Sequence, residues 1–110
     1  MQIKKVENKI YFNGKNSSLK LSIKNNTAIL ELIKVQEEFR NKKEASKLLS
    51  YVLSYIKEQL LHIKLIELSP LPLCPNGLTL EILINFYEKY GFSKKFGERL
   101  HQPYLMVKSL

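Results

Sequence analysis

The feature that most narrows the fold is a double change of apolar period between residues 28 and 68. Ala28–Val35 (AILELIKV) is a nearly continuous apolar run of strand length, predicted to be buried on both faces. From about Lys43 the period becomes 3.6, and Ala45, Leu48, Leu49, Val52, Leu53, Ile56 and Leu60 fall on one stripe of a long helix. Ile63–Leu68 (IKLIEL) is a second short apolar run. Strand, helix, strand in this order predicts two parallel strands with the helix crossing over between them. A polar, basic turn precedes the helix and carries Arg40, Lys42 and Lys43. Free backbone N–H groups and the dipole at a helix N-terminus favour an anion, so this turn suits a phosphate-bearing ligand.

The flanking segments add strands and one more helix. Residues 1–27 have no helical period, and IKKV, KIYF and SLKLSI are punctuated by Asn13-Gly14 and Lys24-Asn25-Asn26. They predict two or three antiparallel strands leading into Ala28–Val35, with Lys20 and Lys24 on a solvated face. Ser69–Gly77 holds three prolines and continues neither element. A second helix is expected after Thr79 as N-cap, with Glu81 in its first turn. Leu80, Leu83, Ile84 and Tyr87 share one of its faces, and Gly91 ends it. Phe92–Phe96 and Tyr104–Leu110 read as a closing antiparallel pair. Repeats and linkers are absent, and 110 residues make one domain, residues 1–110.

Three features together resemble the GNAT superfamily of acetyl-coenzyme A-dependent N-acetyltransferases. After a strand ending in Val35, Arg40-Asn41-Lys42-Lys43-Glu44-Ala45 follows the family's loop pattern Arg/Gln-x-x-Gly-x-Gly/Ala. Phe86-Tyr-Glu-Lys-Tyr-Gly-Phe92 matches FYEKxGF at the end of the family's last helix, and Met106-Val107-Lys108 is similar to its terminal strand. The resemblance covers residues 28–110. It departs in two places. Lys43 stands where the family has Gly, and the strand and two helices that usually precede the meander have no room here.

The resemblance implies an α/β (α+β) fold: a mixed, mostly antiparallel sheet with a central splayed parallel pair and two main helices. It implies acetyl-CoA as co-substrate, no metal, and direct acetyl transfer to a primary amine acceptor. Ile33 and Val35 would meet the pantetheine arm. Arg40, Asn41, Lys42, Lys43, Glu44, Ala45 and Ser46 would surround the pyrophosphate. Tyr87 would be the general acid and Glu67 the base, in preference to Glu31, the other carboxylate in an apolar strand. Tyr87 also shares a face with Leu80, Leu83 and Ile84, which is where a core aromatic belongs. Tyr90 reads as packing. The alternative is a GNAT-like domain that binds CoA or a protein without turnover. The open acceptor side leaves room for a homodimer.

Composition bounds the partners. Eighteen Lys/Arg against ten Asp/Glu give a net charge of +8, so an anionic partner is expected. Only Arg40 and Arg99 are arginines, which disfavours base-specific reading, and no nucleic-acid motif occurs, so nucleic acid is not the expected partner and a basic nucleic-acid-binding module is the lesser alternative. The single Cys74 fits a reducing, cytoplasmic setting. Membrane-span and signal-peptide patterns are absent. His62 and His101 read as solvated or capping residues.

Overall fold

The structure, a computed structural model, describes residues 1–36, 43–69, 80–95 and 105–110. Seven strands form one sheet: β1 (Gln2–Val6), β2 (Lys9–Asn13), β3 (Ser17–Lys24), β4 (Thr27–Val35), β5 (Leu65–Leu68), β6 (Ser93–Lys95) and β7 (Leu105–Ser109). Two helices, α1 (Glu44–Gln59) and α2 (Leu80–Glu88), complete the described elements. The strand order is β1-β2-β3-β4-β5-β7-β6. Pairing is antiparallel throughout except for β4 and β5, which are parallel. The architecture is therefore the expected mixed sheet, with α1 as the connection between its parallel pair.

The meander follows from local signals. β1 and β2 turn at Glu7–Asn8, where Glu7 takes φ 56°, and β3 and β4 turn at Asn25–Asn26, where Asn25 also takes φ 56°. Asparagine tolerates the left-handed region better than most residues, so the second turn is legible and the first, built on Glu, is not. Between β2 and β3 the Gly14 N–H donates to the Ser17 carbonyl.

Residues paired across a ladder share a sheet face. The register puts Ile10, Phe12, Leu19, Leu21, Ala28, Leu30, Ile66, Leu68 and Met106 on one face, and all of them are buried. Leu48, Leu49, Val52 and Ile56 of α1 pack on that face, each burial worth about 1.5–3 kcal/mol. Phe12 meets the rings of Tyr51 and Tyr55 edge-on. Ile84, Tyr87 and Phe92 join the same cluster, so both helices cover one side. No described helix covers the other side, where Lys20, Ile29, Glu67 and Val107 are only half-buried. The expectation that Ala28–Val35 is buried on both faces therefore fails, because it assumes helices on each side of a parallel pair.

Helix α2 ends as its sequence indicates. The Phe92 N–H donates to the Tyr87 carbonyl and the Gly91 N–H to the Glu88 carbonyl, with Gly91 at φ 91°. This is the paired-bond termination that requires a left-handed residue, and the Phe92 and Tyr87 rings, 6.0 Å apart, supply its apolar contact.

Candidate active site at the splayed strand pair

The ladder between β4 and β5 joins Thr27 to Leu65 and stops at Leu30 and Leu68, while β4 continues to Val35. The ladder ends where β5 ends, and β4 is irregular from the next residue on. The β3–β4 register pairs Leu21 with Leu30 but Lys20 with Leu32, so Glu31 is an extra residue in β4, a bulge. A bulge bends its strand and interrupts pairing. Before it Ala28 and Leu30 face the helices; beyond it Ile33 and Val35 do, opposite Leu19 and Ser17. A cleft of about 220 Å³ opens where the strands part, lined by Ile29, Leu30, Glu31, Leu68, Ser69 and Leu105. A larger hollow of about 350 Å³ lies elsewhere, at the β2–β3 turn against the end of β4. The cleft is the better candidate, because there the edge of β4 is exposed beside a carboxylate, Glu31.

Glu31 is held on the bare face. Its carboxylate accepts from the Ser22 hydroxyl and pairs with the Lys20 ammonium at 3.1 Å. The Ser22 hydrogen bond, and after it Lys20, hold the Glu31 carboxyl below its ordinary value, while Glu31 raises the lysine. The side chain that looked anomalous in an apolar strand is thus partnered. Glu67 stands on the same face, in register with Ile29 and Val107. Among the described residues no hydrogen bond holds its carboxylate. Of the two carboxylates singled out from the sequence, Glu31 lines the cleft, and Glu67 stands one residue before its lining residue Leu68.

At the start of α1, Lys43 takes a left-handed conformation, φ 62° and ψ 19°. The first helical bond runs from the Lys47 N–H to the Lys43 carbonyl. The N–H groups of Glu44, Ala45 and Ser46 precede it, and Lys43 makes no side-chain cap. Glycine favours this conformation, so the backbone path proper to a glycine is kept although a lysine occupies the position. Arg40, Asn41 and Lys42 lie outside the described residues.

Both tyrosines near the end of α2 reach the core. Tyr87 is 9% exposed and packs against Phe86 and Phe92. Burial pushes its phenol up to about 12. Tyr90 packs against Phe86 and the core as expected, and its hydroxyl also shares a hydrogen bond with that of Ser46, with the Ser46 carbonyl 3.4 Å away. It ties the end of α2 to the first turn of α1. Its place in the turn that follows α2, three residues after Tyr87, was the signal that could have found it. No group of three His, Cys, Asp or Glu side chains that could hold a metal occurs among the described residues. No described helix is long and apolar enough to cross a membrane.

No family model and no curated sequence matches the chain. Solved structures do. The anti-CRISPR protein AcrVA5 is similar with a TM-score of 0.73 and 19% identity, over 92% of this chain and 98% of that one. The PaiA N-acetyltransferase of Thermoplasma acidophilum, solved in complex with coenzyme A, gives 0.67 and 19% over 93% of this chain and 60% of that one. The ribosomal-protein-S18-alanine N-acetyltransferase of Escherichia coli gives 0.68 and 14% over 96% and 71%. The chain thus spans about three fifths of the PaiA enzyme and nearly all of AcrVA5. These likenesses establish that the fold is that of the GNAT acetyltransferases.

Proposed function

We propose that the chain is an acetyl-CoA-dependent N-acetyltransferase acting on a primary amine. The observation that carries this reading is the overrun of β4 past β5 into a cleft, in a fold that also presents a helix N-terminus where Lys43 makes no side-chain cap. Acetyl-CoA would supply an acetyl group already activated as a thioester. The pantetheine arm suits the β4 segment holding Ile33 and Val35, which extends beyond the last β5 partner. The N–H groups of Glu44, Ala45 and Ser46 suit the pyrophosphate, with Arg40, Lys42 and Lys43 adding charge and Asn41 an amide donor. Each such helix-end interaction is worth roughly 0.3–1 kcal/mol, so affinity needs several at once.

Glu67 takes the amine proton in this reading, because Glu31 is already committed to Ser22 and Lys20. Tyr87 holds the proton for the departing thiolate. A phenol near 12 facing a thiol near 8.5 makes full transfer uphill by about 5 kcal/mol, so the proton must move as the C–S bond breaks. A homodimer would close the open acceptor side, and a reducing cytoplasmic setting suits the lone Cys74.

The test is paired. Saturating acetyl-CoA should raise the melting temperature by several degrees through mass action. Mixing with a panel of amines should release free thiol in proportion to acetylated product. An unchanged melting temperature at millimolar acetyl-CoA rules the reading out. A raised one without thiol release from any amine leaves the non-catalytic CoA-binding domain, the alternative that Lys43 at the glycine position motivates.

A further inference from the structure

The bare face of the sheet is not chemically neutral. The register places Lys4 on β1, Lys9 on β2, Lys20 and Lys24 on β3 and Lys34 on β4, all on the side opposite the helices. Lys20 is paired with Glu31. Lys4, Lys9, Lys24 and Lys34 have no ion pair among the described residues. Successive strands lie about 4.8 Å apart and residues rise about 3.3 Å, so these ammonium groups spread over a field of roughly 14 by 20 Å. The helices do not share this excess, since α1 carries Glu44 and Glu58 against Lys47 and Lys57. At the end of the strands the row Asn13, Ser18, Lys34 runs into the 350 Å³ hollow, which Lys15 and Ser17 also line. A polar basin with two lysines has the size and donors to seat a phosphodiester group.

We propose that this face binds nucleic acid through its phosphate backbone, without reading sequence. A protein partner fits less well. Protein interfaces deplete lysine and concentrate aromatic, Met and Arg anchors, whereas the lysine-bearing strands offer one half-buried aromatic, Tyr11, with the Lys20 ammonium over its ring. The described strands place no arginine on the face, which suits point-charge contact with phosphates and not bidentate contact with base edges. This binding is independent of whether the cleft transfers acetyl groups.

The test measures affinity of the whole chain for labelled mixed-sequence oligonucleotides between 50 and 200 mM salt. Neutralising about four phosphates gives a log–log slope near −3 to −4, a loss of about 100-fold over that range. Replacing Lys4, Lys9, Lys24 and Lys34 singly by Ala should reduce the slope by about 1 each. Lys57→Ala and Lys89→Ala, on the helix side, should leave it unchanged. Melting temperatures of all variants exclude misfolding as the cause. Equal losses from both sets would assign binding to net charge alone and overturn the proposal, as would absence of binding at 50 mM salt. Equal or tighter binding to acidic polypeptide or anionic vesicles overturns it in favour of those partners. Displacement by saturating coenzyme A would assign the lysines to the donor, with the same consequence.

Discussion

Lys43 holds a left-handed backbone that costs a non-glycine residue roughly 1–2 kcal/mol. Lys43→Gly removes that cost but adds about 0.5–1 kcal/mol of unfolded-chain entropy. The expected balance is a gain of about 0.5 kcal/mol, seen as a melting temperature raised by about 2–4 °C. Coenzyme A affinity measured on the same variant should not fall, since the path is already a glycine path. Tyr87 is the second decisive residue. Tyr87→Phe should lower kcat about 100-fold or more while leaving acetyl-CoA binding intact. The phenol also links stability to alkaline pH. Its folded value near 12 lies above the unfolded value near 10, so the stability it contributes is complete below pH 10. That contribution, up to about 3 kcal/mol, is lost as pH rises through 12. Denaturation of Tyr87→Phe between pH 10 and 12 should show this slope flattened.

Elements whose causes are local could be read before the structure. The α1 stripe is set by spacing along one helix, and Leu48, Leu49, Val52 and Ile56 are buried as the period requires. Gly91 could be read because only the left-handed residue that closes α2 needs it. Gly91→Ala introduces a Cβ at φ 91° that meets the Lys108 ammonium, and a loss of about 1–2 kcal/mol in chemical denaturation is expected. Features set by pairing partners could not be read. The sequence of β4 shows a carboxylate among apolar residues but not that Glu31 is the unpaired residue of a bulge, since that depends on β3. Likewise Tyr90 and Ser46, 44 residues apart, meet only once α2 lies along α1. The order of β5, β7 and β6 was equally hidden, because a strand added between earlier neighbours leaves no mark in its own composition.

The described elements of the molecule make two layers, one sheet and one tier of helices, 23 Å through the thinnest direction. Its stability therefore resides on one side. Ile66, fully buried beneath the helices, and Ile29, half-buried on the bare face, differ by side and not by residue type. Ile66→Ala should cost about 3–4 kcal/mol and Ile29→Ala about 1 kcal/mol, measured by urea denaturation. Equal costs would mean that something covers the bare face in solution.

The bulge has one more consequence. A regular strand keeps inside and outside apart by counting in twos, and Glu31 is the residue that the count skips. Excising it leaves Ala28, Leu30, Ile33 and Val35 in the alternation they already hold, now without interruption. The shortened chain would retain its core, and β5 would stay paired with β4 over all four of its residues, as it already is. What the inserted residue decides is thus which side of the sheet carries the carboxylate at the opening, a choice separable from the fold that surrounds it.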